Sequence, residues 1–157
     1  MQAIIFIGLQ ATGKSTFYQS NFFHSHIRIN LDMLRTRHRE KLLFQCCLEM
    51  KQPFVIDNTN PTPADRTRYI SVAKEAGFQI VGYYFQSQLS ASITRNQLRP
   101  PAQQIPDRGI RATHAKLVLP EFGEGFDELY YVSIANREAD IENTTKHFIV
   151  QRWQDEI

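Results

Sequence analysis

Gly8-Leu9-Gln10-Ala11-Thr12-Gly13-Lys14-Ser15-Thr16 follows an apolar run at residues 3–7 and precedes a segment, residues 15–23, of helical character. The stretch therefore meets the pattern G-x-x-x-x-G-K-[ST] in the strand–loop–helix setting that the pattern requires. Glycines let the backbone curl without a Cβ clash, and N–H groups exposed at the start of a helix then point toward an anion. The expected ligand is a nucleoside triphosphate, ATP or another NTP, cradled by Gly8, Thr12, Gly13, Lys14, Ser15 and Thr16. Lys14 would reach the β- and γ-phosphates and Ser15 would hold Mg²⁺. A chance glycine-rich turn is the alternative, and the flanking strand and helix speak against it.

The strand before the loop and the helix after it set the reading of the remainder. Residues 27–30, 53–57, 79–85 and 128–134 read as further strands, short and rich in apolar, β-branched or aromatic residues. Between them, a helix opens near Asp32, a longer one spans residues 40–50, and another follows Thr62 with Pro63 in its first turn, Asp65 three residues after the cap and Gly77 as its stop. Residues 90–98 are helical. Pro100, Pro101 and Pro106 then break the chain before another helix ending near residue 118, which makes residues 95–116 a candidate lid. The tail from residue 136 has no clear period.

Strands alternating with helices predict an α/β fold: a P-loop kinase-type three-layer sandwich with a five-stranded, mostly parallel sheet, helices on both faces and a helical lid. The ligand belongs outside the carboxyl ends of the strands, where Gly8, Asp32, Asp57 and the segment beyond Phe85 gather. At 157 residues the chain suits one domain, residues 1–157. With 42% hydrophobic and 22% charged residues it reads as globular, and no stretch is long and apolar enough for a membrane span. The chain starts directly on its first strand, and Cys46 and Cys47 are adjacent, which rarely bridge. The expectation is a cytoplasmic protein without a signal peptide, its thiols reduced. The five histidines have no zinc-ligand spacing with these cysteines.

Net charge is only +2, but its distribution is uneven. Arginines and lysines crowd residues 28–41 and 95–116, and acids crowd residues 121–142. Folded toward the glycine loop, the two basic segments would form a rim attractive to polyanions; as solvated helix faces they would not.

Phosphoryl transfer needs a metal site, a base for the acceptor and positive charge on the moving group. Asp57, ending an apolar strand, can serve the metal with Ser15 or cap the next turn. Asp32 can accept the proton of an attacking hydroxyl or cap a helix, and Arg35, three residues on, would share its helix face. Arg95 and Arg99, four apart, form either a phosphate clamp or a solvent-facing pair that repels weakly.

These segments resemble the kinase module of polynucleotide 5′-hydroxyl kinases over about residues 3–134. GLQATGKST is similar to that family's phosphate loop, INLDMLR to the segment carrying its general base, VIDNTNPTPADRTRYISVAKEAG to its Asp-Asn-Thr-Asn turn and following helix, TRNQLR to its lid helix, and PEFGEGFDEL to a later Glu-Gly-Phe signature. The resemblance implies Asp32 as base, Arg35 on the acceptor side, Lys14, Arg95 and Arg99 on the transferred phosphoryl, and ATP with Mg²⁺. Leu31 stands where related kinases often carry Arg, and no phosphatase Asp-x-Asp-x-Thr motif is present. The function expected is a kinase acting on the 5′-OH end of a nucleic acid. The alternatives are a kinase of a small hydroxyl compound, such as a nucleoside, sugar or antibiotic, and a non-catalytic nucleotide-binding module. Asn136 and Arg137 are a positional guess for adenine contacts.

Overall fold

The computed structural model of the chain describes residues 1–135 and 147–154. Its six strands, β1 (Gln2–Ile7), β2 (Ile27–Ile29), β3 (Phe54–Ile56), β4 (Gln79–Phe85), β5 (Glu128–Ile134) and β6 (Phe148–Arg152), form one sheet in the order β2-β3-β1-β4-β5-β6. The first five run parallel, and β6 returns antiparallel to β5. The fold is thus the expected α/β sandwich with a mostly parallel sheet, one strand wider than the sequence predicts. Periodicity cannot find β6 because Ile149 to Arg152 are all exposed, so no buried face alternates along it. Backbone pairing to β5 defines it instead.

β1 lies at the centre because its side chains are apolar on both faces. Ala3, Ile5 and Ile7 pack with Phe44 and Cys47 of α3 (Arg37–Met50) and with Tyr69 and Ala73 of α4 (Pro63–Glu75). Ile4 and Phe6 pack on the other side with Phe17 and Tyr18 of α1 (Lys14–Asn21). This is the two-residue period of a strand buried from above and below, and each buried Ile or Phe stabilises the fold by roughly 1.5–3 kcal/mol. Phe126, from the Glu-Gly-Phe segment, lies over Gly82 of β4, where a Cβ would come within 2.7 Å of its ring.

Caps determine where the helices begin. The Thr62 hydroxyl accepts from Asp65 N–H while the Asp65 carboxylate accepts from Thr62 N–H, so α4 opens as its spacing predicts. α3 begins at Arg37 rather than near residue 40 because Thr36 accepts from Arg39 N–H. Likewise α2 (Leu31–Leu34) is capped by Asn30, not by Asp32. Among the described residues the remaining α-helices are α5 (Leu89–Gln97) and α6 (Asp107–Lys116), joined through the proline-rich segment. Cys46 is exposed, Cys47 is buried, and both are free thiols. Among the described residues, no helix is long and apolar enough to cross a membrane.

Candidate active site

The glycine loop leaves β1 at its carboxyl end. Gly8 has φ +152°, and a Cβ there would lie 3.0 Å from the Phe85 carbonyl oxygen. Gly13, at φ +91°, starts α1 in the left-handed region, which favours glycine. Segments that follow the two neighbouring strands hold the loop: Gly8 N–H donates to the Thr59 carbonyl (3.0 Å) and Leu9 N–H to Ser87 Oγ (3.0 Å). Thr12 turns its hydroxyl inward onto the Leu9 carbonyl (2.8 Å). Lys14 is 9% exposed, and its Nζ donates to the carbonyls of Gly8 and Leu9. Burial pushes its pKa down to about 8; Asp57 and Asp32 pull it up, and Arg99 pushes it further down. Four charged groups from four parts of the chain therefore act on one field.

Ser15 and Asp57 meet as the sequence expects, Ser15 Oγ donating to Asp57 Oδ2 at 3.0 Å. A third group joins them that sequence reasoning does not find. Arg28, on β2, donates from Nε to Asp57 Oδ2 (2.8 Å) and from a terminal nitrogen to Ser15 Oγ (2.9 Å). Asp57 is only 2% exposed, so the guanidinium compensates a buried carboxylate. A hydroxyl and a carboxylate side by side are hard oxygen donors, which suit Mg²⁺ shared with phosphate oxygens and water.

Two asparagines set the position of Asp32. Asn30 donates to the Asp57 carbonyl oxygen and accepts from Met33 N–H, while Asn58 accepts from Leu31 N–H (2.9 Å). With Asn30 as the cap, Asp32 becomes the second residue of α2, exposed and facing the cleft. Its carboxylate accepts no hydrogen bond from the described residues. Arg35 does not share its helix face: the four-residue α2 ends there, at φ +74°, because the following Thr36 must be extended to cap α3. Arg35 does not line the cleft, whereas Arg37 does.

The lid folds back over the loop. Gln10 Nε2 donates to Thr113 Oγ1 of α6 (3.1 Å), and Asn96 clamps the proline segment through paired bonds with the backbone of Ile105 (2.6 and 3.0 Å). Arg95 and Arg99 do not form the expected helical pair. α5 ends at Gln97, and Pro100 disfavours helical backbone at the residue before it. Arg99 lines the cleft with Lys116, whereas Arg95 is half-buried elsewhere and its pKa is lowered by burial. The cleft has a volume of about 360 Å³ and is walled by the loop, α2, the Asp57–Pro61 turn and the lid. Both basic segments of the sequence thus contribute to it.

Arg66 also escapes sequence reasoning. Fully buried on α4, it donates to the Asn60 and Val118 carbonyls (3.0 and 3.1 Å) and in fork geometry to Glu124 (2.7 and 3.1 Å). It ties the turn after β3 to the end of the lid. An arginine on an amphipathic helix ordinarily reads as solvated, and the available signal was the acid-bearing Glu-Gly-Phe segment downstream. The adenine guess, Asn136 and Arg137, lies outside the described residues.

A family model described as an AAA domain matches residues 4–120. The bifunctional polynucleotide phosphatase/kinase of Schizosaccharomyces pombe is 27% identical over 129 residues, covering 80% of this chain and 32% of that protein. The chain spans about a third of that relative's length. Among solved structures, Kti12 of Chaetomium thermophilum in complex with ADP-AlF3 superposes with a TM-score of 0.68 at 13% identity, over 87% of this chain and 92% of that one. A gluconokinase from Sinorhizobium meliloti 1021 gives 0.60 at 16% identity, over 89% and 86%. At these identities the structures speak for the fold alone.

Proposed function

The chain belongs to the AAA-domain family of P-loop proteins, and from that premise we propose that it is an ATP-dependent kinase whose acceptor is the 5′-hydroxyl end of a polynucleotide. The observation that carries this reading is the Asp32 carboxylate, which no cap engages, in the same cleft as Lys14 and Arg99. The acceptor class is supported by the similarity to a polynucleotide phosphatase/kinase over most of the chain and by the basic groups from both cationic segments around the cleft.

In this mechanism Asp32 takes the proton from the acceptor hydroxyl as its oxygen bonds to the γ-phosphorus, and the bond to the β–γ bridging oxygen breaks to release ADP. Lys14 and Arg99 offset the charge that builds on the transferring oxygens. Ser15 and Asp57 would hold Mg²⁺, which when bound neutralises phosphate charge. Arg35 and Arg95, away from the cleft wall, have no direct role in this scheme.

Incubation with γ-labelled ATP and 5′-hydroxyl oligonucleotides is expected to label the strands. Asp32→Asn is expected to lose about 10² to 10⁴ in rate with ATP binding retained. An Asp32→Asn protein that still transfers at the wild-type rate would refute the base assignment. Transfer to small hydroxyl compounds but to no strand would move the acceptor to the small-molecule class.

A further inference from the structure

α3 and α4 lie side by side and leave an open groove of about 390 Å³ between them. Its floor is apolar, formed by Phe44, Tyr69 and Val72, and its rim is cationic, formed by Arg37, Lys41 and Arg68. On α3, positions 37, 41 and 44 recur at helical spacing and share one face; on α4, positions 68 and 72 do the same. Among the described residues the one acid lining the groove, Glu40, is 3% exposed and is already taken up by Arg37, Tyr69 and Asn58 (2.9, 2.7 and 3.0 Å). The field at the rim is therefore positive. Arg37 belongs to two places at once, lining both this groove and the cleft that holds Asp32.

Resting on the kinase reading above, we propose that the groove is the acceptor-strand subsite, receiving the nucleotides behind the reactive 5′ end of a single strand. An apolar slot bordered by cations is the combination that holds a base face and its flanking phosphates without reading sequence. Continuity with the cleft through Arg37 gives the strand its direction: the terminal hydroxyl at Asp32, the next phosphate on Arg37, later phosphates on Lys41 and Arg68. Val72, 43% exposed, offers the base an apolar surface, and Tyr69, buried beneath it with its hydroxyl fixed on Glu40, holds the floor in place.

Two measurements on the full chain test this. The first is the ratio of kcat/KM for a 5′-hydroxyl oligonucleotide of about eight nucleotides to that for a nucleoside 3′-monophosphate. In wild type the longer acceptor is preferred, and the double variant Lys41→Gln/Arg68→Gln lowers the ratio at least about tenfold. The charge-retaining pair Lys41→Arg/Arg68→Lys keeps it. The second is strand binding by fluorescence anisotropy against salt, where loss of two phosphate contacts reduces the slope of log affinity on log salt by about 1.4. Val72→Trp, which fills the groove without changing charge, lowers the same ratio. If wild type labels strands with a length preference that neither Lys41→Gln/Arg68→Gln nor Val72→Trp alters, the groove proposal is overturned and the kinase reading stands. If wild type labels no strand of any length, the acceptor reading fails and the groove with it. A self-association that Val72→Trp abolishes, with the length preference unchanged, would make the face a contact between copies and also overturn it.

Discussion

Burial alters the chemistry of Lys14. With a folded pKa of about 8 against 10.5, its burial cost is fully present below pH 8 and is relieved as pH rises toward 10.5, so its contribution to stability improves across that window. Phosphates beside it favour the charged form and reverse the shift. Nucleotide binding at about pH 9 is therefore expected to take up a large fraction of a proton, and at pH 7 almost none from this group. Calorimetry in two buffers of different ionisation enthalpy reads this directly, and zero uptake at pH 9 would mean that phosphates do not reach Lys14. Arg28 invites a second test. Arg28→Met leaves the Asp57 carboxylate without its guanidinium partner in a site 2% exposed, a loss of about 2–3 kcal/mol, toward the low end because Arg28 itself is 27% exposed. Denaturant midpoints check it, and Arg28→Met combined with Asp57→Asn is expected to recover part of the loss.

Turns and termini of elements, rather than their middles, build the cleft. Asn30 and Asn58 bind the start of α2 to the turn after β3, and Val118 N–H donates to the Pro61 carbonyl at the far end of the lid (2.8 Å). Arg66 pins these pieces from inside, its four hydrogen bonds reaching three separate segments. Arg66→Met removes the cation paired with Glu124 and leaves the buried Asn60 carbonyl and the part-buried Val118 carbonyl without their donor, and is expected to cost about 3–5 kcal/mol in urea unfolding. A loss under 1 kcal/mol would show that water replaces the side chain at no cost. Arg35 and Arg99 fall outside the helices to which their spacing assigns them. Each lies just past the end of a short helix, and helix ends are determined by the next residue's needs, Thr36 as a cap and Pro100 as a proline, more than by spacing within the helix.

Across the whole molecule, strand order brings the parts together. β1 sits between β3 and β4, so the loop after β1 is braced by Thr59 from one side and Ser87 from the other. The terminal strand adds a third brace. Phe148 of β6 packs edge-on against Phe17 (5.2 Å between ring centres), and a Cβ on Gly13 would lie 2.9 Å from its ring. Phe148→Ala is expected to cost about 1–3 kcal/mol, less than a fully buried Phe would, and to weaken nucleotide binding several-fold by loosening the loop. Thermal melting with and without nucleotide measures both, and an unchanged nucleotide-induced shift would separate β6 from the loop's function.

The loop and the parallel α/β plan were legible in the sequence, which left Asp57 open between Ser15 and a turn cap until the fold brought the two together. The loop's φ angles at Gly8 and Gly13 favour glycine, and strands buried on both faces leave continuous apolar runs that survive in the one-dimensional order. Tertiary structure alone decided the rest. Arg28 and Arg66 look like surface arginines until the sheet places a carboxylate opposite each, because a charge pair between residues 29 or 58 positions apart leaves no local period. β6 is invisible for a related reason: an exposed edge strand is specified by the backbone groups of its neighbour, and backbone groups are the same at every position of a sequence.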